Sequence, residues 1–179
     1  MKRKTFNKQF EQMKKVANRT FEEVFRSMQL LNYTVLYYDF NFSKEDIKTF
    51  NQNITDYNNS CIDDKEAFFK EIDRLLTEYN FSCEKSAKEF PARAKMKMMQ
   101  YKCKDMKEWD VALHNSTDAV EVCLVLFLRE LTTTWSKDAS DVALYWEKMK
   151  ENSINYANGM TDDFVRQYFR DELDLDITG

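Results

Sequence analysis

Glycine and proline are almost missing from this chain, which has two glycines and one proline among 179 residues. A β-rich fold of this size normally spends more of both residues on its turns. Lysine and glutamate are abundant, and apolar residues recur at helical spacing over long runs, so the sequence predicts an all-α helical bundle. Aromatic residues make up 15% of the chain and supply bulky core side chains, so we expect a folded protein.

The same scarcities exclude several chemistries. Gly159 and Gly179 are the only glycines, so the chain can form neither a phosphate-binding glycine loop nor a dinucleotide-binding fingerprint. His114 is the only histidine, and its polar neighbours favour a surface or helix-capping role over that of a catalytic base. We therefore predict that the protein is not an enzyme, with no catalytic residues and no cofactor.

The four cysteines, Cys61, Cys83, Cys103 and Cys123, are spread evenly and form no close pair. Zinc sites usually draw ligands from close pairs, so we predict no metal site. Met1 is followed by basic residues and an amphipathic run rather than by a secretory signal. We expect four buried free thiols in the reducing cytoplasm of a bacterial cell, and no membrane-spanning segment.

Helical periodicity is strongest near the N-terminus. One apolar stripe predicts a helix from about residue 5 to residue 39, formed by Phe6, Phe10, Met13, Ala17, Phe21, Val24, Met28, Leu31 and Val35. A helix of this length should span the molecule, or project from it and pair with a second copy. Polar breaks are predicted at 58–64 and at 114–118. A further stripe is expected from Met96 to Leu113, and the apolar run 122–131 should be central.

Two stretches of the chain resemble each other. Residues 35–50 end a helix, pass through an aromatic turn and start the next helix with Ser43 and Asp46, and residues 125–138 repeat this plan in degenerate form. Charge follows the same period, because the blocks 1–19, 20–84, 85–107 and 108–179 carry net charges of +6, −7, +6 and −9. We predict six principal helices in two three-helix repeats, 1–84 and 85–179, packed as one compact unit.

The first corner also resembles a family. Its spacing is similar to that of uncharacterised small helical proteins encoded by prophages and mobile elements of Gram-positive bacteria, and the matching residues are Val35, Leu36, Phe40, Phe42, Lys44, Ile47 and Phe50. Asn41 and Ser43 replace the two glycines of the family pattern. The acidic-apolar end, residues 161–176, is also similar. The resemblance implies a phage-like origin and carries over no catalytic residue.

Basic residues cluster in 1–19 and 85–107. Such a surface can bind nucleic acid, lie on an anionic membrane, cover an acidic partner, or pair within the molecule with the acidic blocks. The residues predicted to bind nucleic acid are Lys4, Lys8, Lys14, Lys15, Arg93, Lys95, Lys97, Lys102 and Lys104.

The acidic end gives a second candidate surface. Carboxylates on a small inhibitor can occupy the basic groove of a nucleic-acid enzyme in place of phosphates, although an ordinary solvated helix has the same composition. The residues predicted to bind a protein partner are Asp162, Asp163, Asp171, Glu172, Asp174 and Asp176.

These observations predict a non-catalytic protein of phage or mobile-element origin that binds a host macromolecule. The most concrete form is an inhibitor of a CRISPR effector or another bacterial defence nuclease, as in anti-CRISPR proteins. The alternative is a nucleic-acid-binding accessory or regulatory protein that uses the basic helices. A third interpretation is a structural protein that assembles through its long helix.

Overall fold

The prediction of an all-α fold is confirmed. A computed structural model describes residues 2–99, 102–159 and 162–173, and within that part every regular element is a helix. The helices are α1 (Lys2–Tyr38), α2 (Lys44–Asp63), α3 (Lys65–Tyr79), α4 (Cys83–Glu89), α5 (Ala92–Met98), α6 (Met106–Thr133), α7 (Ala139–Asn158) and α8 (Asp162–Leu173).

The first predicted polar break, 58–64, is confirmed at its end, where Asp64 separates α2 from α3, but the second predicted break does not interrupt its helix. Helix α2 continues through most of the first break, and Asp64 then caps α3 by accepting from the N–H groups of Glu66 and Ala67. The second break, 114–118, lies inside α6. Its polar side chains bond to the helix itself, because Asn115 donates to the Val111 carbonyl and Ser116 to the Leu113 carbonyl. These bonds satisfy the polar side chains without ending the helix.

The connection between the halves also differs from the prediction. The expected stripe from Met96 to Leu113 belongs to two helices, since α5 ends at Met98 and α6 begins at Met106. Pro91, expected in the first turn, is the residue just before α5. The short helices α4 and α5 account for the two elements beyond the predicted six. The predicted repeat boundary, after residue 84, falls within α4.

The two helix corners have the same backbone geometry. After α1, the N–H groups of Phe40 and Phe42 donate to the carbonyls of Val35 and Leu36, and Asn41 is left-handed with a φ of 55°. After α6, the N–H groups of Trp135 and Lys137 donate to Glu130 and Leu131, and Ser136 has a φ of 51°. Capping boxes follow at both corners, Ser43 with Asp46 and Asp138 with Asp141. The predicted cap and left-handed turn at the first corner are thus confirmed.

Helices α1 and α6 lie side by side and run in the same direction. Near their starts, Gln12 Nε2 donates to Glu108 Oε1 at 3.1 Å. Further along, the Cys123 thiol is 4.0 Å from the Phe25 carbonyl. At their ends, the rings of Phe42 and Trp135 are 4.5 Å apart. Parallel packing therefore brings both corners to one end of the molecule.

Contacts across this pair are reciprocal. Phe42 contacts Trp135, while Phe40 lies under the Lys137 ammonium at 5.5 Å. Trp135 occupies the position in the second corner that Phe40 occupies in the first, and Lys137 likewise corresponds to Phe42. The two contacts therefore join equivalent pairs of positions. Deeper in the core, Phe50 packs on Phe127 at 6.4 Å. Its counterpart is the 2.6 Å hydrogen bond from the Tyr145 hydroxyl to Asn32. Reciprocal pairs of this kind are what a two-fold axis between α1 and α6 produces.

The later helices of each half pack on the long helix of the other half. Helices α2 and α3 pack mainly on α6, and α7 and α8 pack mainly on α1. Neither long helix is therefore covered by its own half alone. The arrangement is the one expected of two interlocked repeats, and their origin by duplication stays a prediction.

The central position predicted for residues 122–131 is confirmed for most of that run, since residues 123–128 are buried with at most 1% exposure. By length and composition α6 is apolar enough to span a membrane, with a mean hydropathy of 1.4 over its best 18-residue window. A mostly buried core helix passes the same test, so the expectation of no membrane-spanning segment stays a prediction. Within the fold α6 is the core helix, and it carries the buried carboxylates Glu108 and Glu130.

Lys95 corrects the predicted basic surface, because its side chain is only 4% exposed. Its Nζ donates to the Ala87 carbonyl at 2.9 Å and to the Thr117 hydroxyl at 3.2 Å. Among the side chains that the structure describes, no carboxylate pairs with it. The sequence interpretation failed here because a lysine stem can cross an apolar layer and place its amine against backbone carbonyls.

Burial lowers the pKa of the Lys95 amine below its ordinary value of 10.5. The unfolded chain then binds this proton more readily than the folded one, so Lys95 makes the free energy of unfolding rise as pH approaches 10.5 from below. We expect Lys95→Met to remove this rise, and the exposed control Lys97→Met to retain it. Urea unfolding of the three proteins at pH 7 and pH 10 measures the difference, and equal pH dependence in all three would contradict this account.

Candidate partner-binding surfaces

Most of the predicted basic residues are on the surface. Helix α1 presents Lys14 and Lys15, and the side chains of Lys4 and Lys8 lie outside the described part. Arg93 and Lys97 are exposed on α5. Lys102 and Lys104 are exposed on the connection from α5 to α6. Lys95 alone among the described side chains of this set is excluded by burial.

Parallel packing brings basic residues from the N-terminal segment and from the middle of the sequence to one end of the molecule. Glu108 is 2% exposed and accepts from Gln12 of α1 and from the backbone N–H of Lys104 at 2.9 Å. This buried carboxylate fixes the start of α6 against α1. The exposed residues Lys14 and Lys107 therefore lie at the same end as Lys104.

A groove of about 720 Å³ lies at this end, between α1 and the start of α6, and we call it the α1–α6 groove. Its lining residues are Phe10, Gln12, Met13, Asp105, Met106, Lys107 and Glu108. Phe10 is 61% exposed and Met106 is 71% exposed. Large apolar side chains exposed together, with charges around them, make the α1–α6 groove a candidate binding surface.

Sequence reasoning missed this groove. Phe10 and Met13 belong to the apolar stripe of α1, which predicts a helix that spans the molecule or projects from it but does not show which part of the stripe is covered. Among the described side chains of α1, burial begins only at Val16, so the stripe continues beyond the body that covers it. No sequence signal shows where a helix passes beyond its neighbours.

The predicted acidic surface is only partly described. Asp163 and Asp171 are exposed on α8, while Val165 and Phe169 anchor that helix in the core. The side chains of Asp162 and Glu172, and all of Asp174 and Asp176, lie outside the described part.

Helix α8 is less uniformly acidic than the sequence interpretation assumed. Arg170 is also exposed, and at 100° per residue it lies close to Asp163 on the outer face. The excess of carboxylates is therefore at the C-terminal end of α8, from Asp171 onward.

The cysteines match the prediction in part. All four are free thiols, but only Cys83 and Cys123 are buried, and Cys61 and Cys103 are half-buried. Burial raises the pKa of the Cys83 thiol to about 12, which keeps it protonated and unreactive at neutral pH. Within the described part of the chain, no three His, Cys, Asp or Glu side chains come together as a metal site would require.

The charged residues of the core serve packing. Arg74 forms a close pair with Glu71, with its Nη2 at 2.6 Å from the carboxylate, and donates to Thr132 of α6 at the same distance. Asn53 of α2 donates to the buried Glu130 at 2.7 Å. These contacts attach α2 and α3 to α6 and leave the surface groups to carry any binding function.

No protein-family model matches this chain, and no curated protein or solved structure matches it either.

Proposed function

We propose that this is a non-catalytic protein of phage or mobile-element origin that binds a host protein. Its most concrete form is an inhibitor of a bacterial defence nuclease, of the anti-CRISPR type. The observation that supports the proposal is the acidic end of α8, carried on a helix anchored in the core by Val165 and Phe169. Nucleases that act on nucleic acid have basic grooves, and fixed carboxylates compete with phosphates for the same cations.

Anchoring matters for such a competitor. A carboxylate on a packed helix loses little further conformational freedom when it binds, so less of its interaction energy is spent on ordering. The carboxylates beyond α8 add charge that attracts a basic groove over a distance set by ionic strength. Because this attraction is long-range, the surface is suited to rapid association with a nuclease before its nucleic acid binds.

Charge reversal at the acidic end tests this function. We expect Asp171→Lys, Glu172→Lys, Asp174→Lys and Asp176→Lys together to reduce inhibition about tenfold or more, which corresponds to about 1.4 kcal/mol of lost binding. Lysines at the C-terminus of a helix suit its dipole, so α8 should remain folded. The measurement is phage plating efficiency on cells that express one of a panel of guide-directed defence nucleases.

The matched control reverses four exposed carboxylates elsewhere, Glu22, Asp56, Asp73 and Glu147. This control changes the net charge equally and should retain inhibition. Native protein that protects phage from no nuclease in the panel would contradict the proposed function. Full protection by the α8 variant would instead exclude the acidic end as the binding surface.

A second candidate function is nucleic-acid binding through the basic end. The observation that favours it is the convergence of exposed lysines from α1, from the α5–α6 connection and from the first turn of α6. The lysines concerned are Lys14, Lys15, Lys102, Lys104 and Lys107. Five cations on one end could neutralise about five phosphates of a duplex.

Salt dependence tests the second candidate. If five lysines neutralise five phosphates of a duplex, the slope of log K against log salt should be about −4.5, and affinity should fall roughly 500-fold between 50 and 200 mM salt. Fluorescence anisotropy with a labelled 20-base-pair duplex measures the slope. Absence of binding at 50 mM salt, or binding that 200 mM salt leaves unchanged, would contradict it.

A further inference from the structure

The α1–α6 groove needs an occupant with both apolar and acidic side chains. Its apolar surface is formed by Phe10, Met13 and Met106. Lys107 and two carboxylates, Asp105 and the buried Glu108, also line the groove. The exposed Lys14, Lys15, Lys102 and Lys104 are close to lining residues in the sequence, so the surface around the groove is basic. Apolar contact alone would not select a partner, but cations beside the groove favour carboxylates and disfavour a second basic surface.

The basic N-terminal segment opposes a dimer in which two copies pair through α1. If two copies paired through the N-terminal parts of α1, each would bring a segment, 1–19, that carries a net charge of +6. Like charges at that density repel and would oppose the apolar contact. The expectation that the long helix pairs with itself is therefore not the arrangement that the charges favour.

The chain contains one segment with the required chemistry. Residues 171–177 read Asp-Glu-Leu-Asp-Leu-Asp-Ile, with four carboxylates interspersed among three aliphatic side chains. The segment starts in the last turn of α8 and continues past Leu173, into residues outside the described part. It can present Leu175 and Ile177 to an apolar groove and carboxylates to the lysines beside it.

Reach decides whether the segment binds its own groove. Helix α8 is attached to α1 by the contact of Phe169 with Tyr33, at 6.4 Å between ring centroids. Along α1, Tyr33 is about 30 Å from Met13 at 1.5 Å per residue. From Phe169 to Ile177 the chain spans at most ~20 Å, as about 6 Å of helix and four fully extended residues. Its own groove is therefore too far away.

We propose that residues 171–177 of one copy bind the α1–α6 groove of a second copy. Reciprocal exchange closes a dimer, because each copy supplies one segment and one groove. Leu175 and Ile177 pack on Phe10 and the methionines, whose flexible side chains adapt to a varied apolar partner. The carboxylates pair with the lysines beside the groove.

The proposal does not rest on the proposed function, but it has a consequence for it. The carboxylates that would compete for a nuclease groove are the same ones that would be engaged in the dimer. Self-association and host-protein binding then exclude each other, so dilution would favour the form that binds a partner. The same lysines are also those of the second candidate function, which makes nucleic acid the competing occupant to be tested.

Sedimentation equilibrium of the full chain tests the proposal at 50 mM salt over 2–200 μM protein. We expect the average mass to rise from the monomer value of 21.5 kDa towards twice that value. Met106→Glu should return it to monomer by placing a carboxylate among carboxylates. Leu175→Ser with Ile177→Ser should do the same from the segment side. The control Ile154→Glu, at a residue on α7 that is 50% exposed, should leave association unchanged.

A peptide of residues 170–179 provides a second measurement. It should bind the full-chain Leu175→Ser, Ile177→Ser protein, and Met106→Glu in that protein should weaken binding at least tenfold. A monomer at 200 μM, or association that both Met106→Glu and the segment variant leave intact, would overturn the proposal. Association that is lost on nuclease treatment would also overturn it and would identify nucleic acid as the occupant.

Discussion

Parallel packing of α1 against α6 is the constraint on which the rest of the structure depends. Two long helices that run in the same direction place their C-terminal corners together and their N-terminal ends together. At the corners, Phe42 and Trp135 pack on each other. At the opposite end, the buried Glu108 ties α6 to Gln12. The core, the interlocked later helices and the basic end all follow from this one direction of packing.

The same constraint separates core from surface chemistry. Each long helix is covered mainly by helices from the other half, so the buried polar contacts, such as Asn53 with Glu130 and Tyr145 with Asn32, cross between the halves. Their removal would leave polar groups unsatisfied in the interior. The two candidate surfaces lie where this coverage ends, at the start of α1 and at the end of α8.

Local signals in the sequence predicted local structure well. The capping box of Ser43 and the left-handed Asn41 follow from neighbouring residues, and periodicity identified α1 and the buried run of α6. Tertiary structure decided the rest. Lys95 looks like any surface lysine until Ala87 and Thr117 are placed beside its amine. Phe10 lies in the same apolar stripe as the buried residues of α1, and only the structure shows that burial begins at Val16.

One measurement tests the parallel packing directly. Spin labels can be placed at exposed positions Lys14 and Asp110, or at Lys14 and Thr133, in a chain whose four native cysteines are replaced by alanine. The account predicts a short distance, on the order of 20 Å, for the first pair, because both positions lie near the start of their helices. The second pair should be longer by roughly 15 Å or more, since 23 residues of helix extend about 35 Å. A reversed order of the two distances would show that α1 and α6 are antiparallel and would contradict the account.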